Sequence, residues 1–156
     1  MGSGIHRIGV ISDTHGLIRD EVRERLSTCE VILHGGDLNR KDVLNELEKI
    51  ADVHAVRGNN DGKWAAKIPE KLCMELFGLK LFMTHDKKQL PDDLTPYDLV
   101  IYGHSHKYEE INENGKIILN PGSCGPRRFH LPVTMALIEV SDEEWNVERI
   151  DLACDK

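Results

Sequence analysis

The chain has 156 residues, enough for one domain with a sizeable core. Lys and Arg number 20 against 27 Asp and Glu, a net charge of −7, which excludes a protein that coats nucleic acid or an anionic membrane by electrostatics alone. A local positive site stays open, because bound metal ions do not enter a sequence charge count. No apolar run approaches the roughly 18 residues of a membrane span. No basic segment followed by an apolar stretch opens the chain, so no secretory signal is expected. The 4 cysteines, Cys29, Cys73, Cys124 and Cys154, form no C-x-x-C pair, and a chain of this length needs no disulfide staples. Reduced, idle thiols in a cytoplasmic protein are expected. Residues 1–156 read as a single domain, with 1–4 a possible expression remnant outside the fold.

Residues 5–11, "IHRIGVI", read as a buried strand, and "SDTHG" as the polar loop after it. Ile18, Val22 and Leu26 recur at helical spacing. "EVILHGGD" is a second strand with polar residues at its end. Asn39 and Asp42 resemble a capping pair for a helix lined by Val43, Leu44, Leu47 and Ile50. "VHAVRGNND" is a third strand. This alternation predicts parallel strands with right-handed crossovers, whose ligands sit outside the carboxyl ends of the strands. Those ends carry Asp13 and His15, then Asp37, then Asn59 and Asp61.

The second half reads as mostly antiparallel β. "KLCMELFGLKLFMTHD" gives two strands about Gly78, and "DLVIYGHSH" another strand ending in histidines. "EEINENGKIILN" holds Asn114-Gly115, a strong hairpin signal. "VTMALIEVS" pairs with "EWNVERIDL" across an acidic turn. No linker separates the halves. The fold class is α/β: two packed mixed β-sheets flanked by helices, each sheet burying a face on the other.

Asp13, His15, Asp37, Asn59, His85, His104 and His106 all follow apolar strands, and all are metal-ligand types. Carboxylate, amide oxygen and imidazole together suit Mn, Fe, Zn, Co or Ni better than Ca. One ion rarely needs so many such ligands, whereas two ions sharing a carboxylate account for them. Each piece alone has a plainer reading. "DTH" is a capping loop, "GGD" and "GNND" are turns, and "GHSH" is a surface loop with solvated histidines.

The series D-x-H, G-D, G-N, T-H and G-H-x-H is carried by "GVISDTHG", "ILHGGD", "VRGNND", "LFMTH", "IYGHSH" and "NPGSCGPRR". It resembles the calcineurin-like metallophosphoesterase superfamily, and more closely its small bacterial and archaeal phosphodiesterases of the YfcE type. The resemblance implies a four-layer α/β/β/α sandwich and two divalent transition-metal ions, Mn²⁺ foremost, with Zn²⁺, Fe²⁺, Ni²⁺ or Co²⁺ as alternatives. One ion would be held by Asp13, His15, Asp37 and His106, the other by Asp37, Asn59, His85 and His104, with Asp37 as bridge. The implied activity is hydrolysis of a phosphodiester by in-line attack of a hydroxide between the ions. A phosphomonoesterase or nucleotidase activity on the same centre is an alternative, as is the protein-binding scaffold that the retromer complex makes of this fold. The partner is then a small phosphate ester, with no membrane, no strong nucleic-acid signal and homo-oligomers allowed.

Asn60 stands where many members have histidine, and it can donate a hydrogen bond but not deliver a proton. Asp86 stands where the family has glycine. It has several candidate roles: to orient an imidazole, approach a metal, repel phosphate or face solvent. "KKQLPDDLTP" predicts a trimmed rim without the helix relatives carry. Asp61 divides between supporting a ligand and making a turn. Asn60 and Arg127 (or Arg128) are the candidate substrate contacts, a planar guanidinium suiting phosphate oxygens. Asp37, Asn60 and Asp61 are the candidate catalytic residues. His34 is expected to be a satisfied strand-end histidine, Ser105 a spacer, Gly103 room for metal and substrate, and Trp64 the cover of a core edge.

Overall fold

The structure, a computed structural model, describes residues 4–127 and 130–152. Strand β1 (His6–Ile11), helix α1 (Asp20–Leu26), β2 (Val31–His34), α2 (Lys41–Glu48) and β3 (Asp52–Ala55) come first. There follow β4 (Lys71–Leu76), β5 (Leu79–Thr84), β6 (Leu99–Ile101), β7 (Glu109–Glu113), β8 (Lys116–Asn120), β9 (Thr134–Val140) and β10 (Trp145–Asp151). They form two five-stranded mixed sheets, ordered β10-β9-β1-β2-β3 and β4-β5-β6-β8-β7.

Strand periodicity sorts the core into two layers. Ile8, Val10, Val31 and Leu33 of the first sheet face Leu81, Met83, Leu99 and Ile101 of the second. On the other face of the first sheet, Ile11 and Ile32 meet Val22 and Leu26 of α1 and Val43 and Leu47 of α2. β1 has room for α1 because residue 9 is glycine: a Cβ there would lie 2.4 Å from Leu26 Cδ2.

Two packed mixed sheets with flanking helices are the predicted arrangement. Two local readings change. β6 pairs parallel with both β5 and β8, so the middle of the second sheet is not antiparallel. The long β5–β6 connection is a crossover rather than a hairpin, which permits the parallel pairing. Asn39 does not cap α2: the N-cap residue is Arg40, without a side-chain cap, and Asn39 is left-handed at φ 75°. The second sheet carries no α-helix over 85–98; a 3₁₀ turn at Lys87–Gln89 and the following loop stand there, with Tyr97 packed on Phe82. Trp64 packs on the helical core and donates Nε1–H to the Asn39 carbonyl, 3.2 Å. Cys29 and Cys124 are buried and Cys73 is exposed, all as free thiols; Cys154 and Arg128 lie outside the described residues. Among the described residues no helix is long and apolar enough to cross a membrane.

Candidate metal centre

β1, β2, β3, β5 and β6 end at one edge of the two sheets, and the candidate ligands occupy the turns that follow. Strand geometry alone does not aim them. Asp13, His15, Asp37, His104 and His106 have φ of 55°, 45°, 62°, 78° and 65°. Left-handed backbone costs a non-glycine residue about 1–2 kcal/mol. Such outliers persist where surrounding structure over-determines them, as at functional sites. His104 and His106 are therefore not spaced by strand alternation; two left-handed residues turn both imidazoles inward.

The left-handed turns are held by a lattice of hydrogen bonds. Asp13 Oδ2 accepts from the Ser12 hydroxyl (2.7 Å) and from His104 N–H (3.0 Å). Gly103 does not open space for a metal, as expected from sequence: a Cβ there would lie 2.2 Å from Ser12 Oγ, so its role is to let β1 and the histidine loop meet. The Asn120–Ser123 turn latches both loops. Asn120 Nδ2 donates to Gly103 O and Ser105 Oγ, and Ser123 Oγ donates to Asp13 O. Ser105 thus serves the loop as an acceptor. His34 is fully buried; its Nδ1 accepts from Gly36 N–H and its Nε2–H donates to Thr14 Oγ1, each at 3.0 Å. Burial lowers its pKa to about 3, so it is a neutral brace for the Gly35-Gly36-Asp37 turn, not a ligand.

The ligand-type side chains gather into two groups, Asp13, His15 and His106, and Asp37, His85 and His104, each with its donor atoms within 4.8 Å of one another. His15 Nε2 and His106 Nε2 lie 3.2 Å apart. Asp13 Oδ1 lies 3.6 Å from the first and 3.5 Å from the second. Two nitrogens bound to one ion at about 2.0–2.1 Å would be separated by about 3.0–3.4 Å, so the pair fits a shared cation. Asp37 Oδ2 stands between the groups, 3.6 Å from His15 Nε2 and 3.2 Å from His85 Nε2. His104 and Asn59 are exposed, so the second group faces the opening. There a cavity of about 450 Å³ is lined by Asn59, His85, His104, Arg57 and Glu70 among others.

Unsatisfied atoms mark where a cation belongs. Asp13 Oδ1 and His85 Nε2 are buried at the centre without hydrogen-bond partners, rare for polar atoms. His85 pairs Nδ1 with the Gly35 carbonyl at 2.7 Å, which leaves the Nε2 lone pair facing the carboxylates when the ring is neutral. Burial opposes charge on His85, yet the Asp37 carboxylate 3.2 Å away and the Asp13 carboxylate outweigh it and raise its pKa to about 9. Burial likewise opposes ionisation of Asp13, but the close imidazoles of His106 and His15, the charge of His85 and the Ser12 hydroxyl hold it far below the usual carboxylate range. Asp37 is lowered against burial by His85 and by Asn60 N–H. Two ionised carboxylates in a ring of imidazoles demand positive charge, and the donor set fits a divalent ion.

The other candidates separate by what they touch. Asn60 donates from both its nitrogens to Asp37: N–H to Oδ1 at 2.9 Å and Nδ2–H to Oδ2 at 3.1 Å. Asp61 takes three backbone N–H groups, from Asp37 (3.0 Å) and Gly58 (2.9 Å) on Oδ2 and from Asn39 (2.7 Å) on Oδ1. Asp86 Oδ1 accepts Lys88 N–H at 3.0 Å and caps the 3₁₀ turn. Arg127 is exposed and lines no cavity at the centre. Arg57, paired with Glu70 at 2.7 Å, lines the cavity over Asn59 and His85; sequence reasoning missed it because "VRGN" reads as strand and turn.

A profile for the calcineurin-like phosphoesterase superfamily domain matches residues 7–143. A probable metallophosphoesterase of Methanothermobacter thermautotrophicus is 31% identical, over 92% of this chain and 91% of its own. A phosphodiesterase of Methanocaldococcus jannaschii is 29% identical, over 89% of this chain and 96% of its own. Among solved structures, wild-type Vps29 of Entamoeba histolytica complexed with zinc is 25% identical with a TM-score of 0.71, over 93% of this chain and 98% of that one.

Proposed function

The chain belongs to the calcineurin-like phosphoesterase superfamily, and on that premise we propose that it is a metal-dependent phosphodiesterase acting on a small phosphate ester. The observation that carries the reading is the pair of ligand groups about Asp37, with buried Asp13 Oδ1 and His85 Nε2 left without partners. Asp13, His15, Asp37 and His106 would hold one divalent ion, and Asp37, Asn59, His85 and His104 the other. Bound there, two such ions supply Lewis-acid charge on the phosphoryl oxygens and lower the pKa of water. The mixed N/O set suits Mn²⁺, Zn²⁺, Fe²⁺, Co²⁺ or Ni²⁺, and the family resemblance puts Mn²⁺ foremost.

The chain's own part is positioning. Asn60 and Asp61 fix Asp37 from opposite sides, one through its carboxylate and the other through its backbone N–H. Asn60 is thus a positioning residue with no proton to deliver, which suits esters whose leaving group needs none. Asp61 acts in the same way and not on the reacting atoms. Arg57 offers a guanidinium at the open side, where an anionic ester enters. The phosphodiesterase of M. jannaschii, similar over nearly the whole chain, supports the diester reading.

The test is metal content and hydrolysis. Purified protein should bind about two transition-metal ions and cleave bis(p-nitrophenyl) phosphate with added Mn²⁺. Asp37→Asn should lower turnover at least a hundredfold. Full turnover in Asp37→Asn, or in thorough chelator, sinks the reading. Vps29 has this fold and is complexed with zinc in one structure, so a protein-binding scaffold is the second reading. Metal binding without hydrolysis of any mono- or diester would favour it.

A further inference from the structure

We propose that the apolar cavity beside His104 is the subsite for one ester group of the substrate, and that the substrate is a phosphodiester bearing an apolar, ring-sized ester group. The proposal rests on the phosphodiesterase reading above. The cavity holds about 330 Å³, and its lining is mostly carbon. Tyr102, His104, Asp86, Lys87, Lys88 and Glu109 line it.

Continuity is the first support. His104 and Asp86 line both this cavity and the polar one over Asn59 and His85. A phosphoryl group at His104 therefore has an opening on either side, one polar and one apolar. A monoester would leave one of them unfilled, whereas a diester sends an ester group into each.

Rigidity is the second. The Tyr102 hydroxyl donates to Glu109. Lys87 Nζ lies 4.0 Å from Glu109 Oε1 and 5.6 Å from the Tyr102 ring centroid, which lays its stem along the wall. Asp86 is held by the Lys88 N–H. The walls are set before a ligand arrives, so little ordering cost falls on binding. Size and charge are the third. The volume sits at the small end of ligand sites, which suits a ring rather than a polymer segment. The charges at its border, Lys87 and Lys88 against Asp86 and Glu109, offset one another, which suits an uncharged apolar ester group rather than a second anion.

Binding of diphenyl phosphate and of dimethyl phosphate to the Zn²⁺-loaded protein, followed by amide NMR shifts, tests this without hydrolysis. Diphenyl phosphate should bind at least tenfold more tightly and shift the Lys88 and Ser105 amides. Lys88→Trp, which fills the cavity from an exposed position, should cut that preference at least fivefold. Equal affinity for the two diesters overturns the proposal, as does a preference that survives Lys88→Trp undiminished. In parallel, phenyl p-nitrophenyl and methyl p-nitrophenyl phosphate are compared as substrates of the Mn²⁺-loaded protein. Selective diphenyl binding with hydrolysis of neither supports the apolar subsite and refutes the phosphodiesterase reading.

Discussion

Replacing Asp61 separates a positioning role from a catalytic one. Its carboxylate accepts N–H groups from Asp37, Gly58 and Asn39 at 3.0, 2.9 and 2.7 Å. Asp37 and Gly58 are buried, so Asp61→Ala takes the acceptor from two buried donors, while the exposed Asn39 N–H resolvates. A hydrogen bond to a charged group is worth about 1.5–3 kcal/mol, so the alanine variant should lose about 3–6 kcal/mol. A domain is stable by only about 5–15 kcal/mol in all, so that loss is severe. Asp61→Asn keeps an oxygen for the two buried donors but sets its NH₂ against Asn39 N–H, and should lose about 1.5–3 kcal/mol. With a urea m-value of about 1–3 kcal/mol/M, that moves the unfolding midpoint by roughly 1 M. The assay is urea unfolding of chelator-treated protein, followed by far-UV circular dichroism. Without metal or substrate, a residue that serves only the chemistry would not move this midpoint. An Asp61→Ala variant within 0.5 kcal/mol of native (a threshold set by ordinary surface substitutions) would refute the positioning role.

His34 makes the protein acid-labile. Its folded pKa of about 3 lies below the unfolded value, so its contribution is intact above about pH 6.5 and is lost as pH falls toward 3. Between pH 8 and pH 5 the native protein should lose about 2 kcal/mol relative to His34→Gln, measured by urea unfolding at both pH values so that the other histidines cancel. A pH-independent difference would refute it. Gly58→Ala places a Cβ 2.1 Å from Asp37 Oδ1 and 2.4 Å from Asp37 N, so the variant should lose thermal stability and bind fewer metal ions by plasma emission analysis. Native stoichiometry and melting temperature would show that Asp37 moves freely. Cys124 is fully buried with its pKa raised to about 12 by desolvation, whereas Cys73 is exposed. In a Cys154→Ser background, Ellman's reagent should modify Cys73 in the native protein and reach Cys124 only on unfolding.

Strand and helix periodicity was legible because each element is a local pattern: Ile8 and Val10 to one face, Ile11 to the other. The polar strand ends were legible for the same reason, since apolar runs followed by Asp, Asn and His place those residues at one edge of parallel strands. Where local rules failed, a distant partner had won. Asn39 gives its N–H to Asp61 and takes a left-handed turn in place of a cap. Asp86, whose role sequence left open, caps a 3₁₀ turn through the Lys88 N–H.

Sequence by itself determined the two-sheet architecture, the family and the chemical type of each candidate ligand, all of which follow from residue identity and short-range order. The family resemblance had already divided those ligands into two groups; only the tertiary structure decided their separations and the backbone turns that aim them. It also decided that Asn60 and Asp61 serve Asp37, that Arg57 rather than Arg127 lines the cavity, and that an apolar cavity adjoins His104. The physical reason is that the aim of a ligand is set by left-handed backbone turns held from far along the chain. Asp13 Oδ2 fixes His104 N–H across 91 residues, and no local pattern encodes that bond.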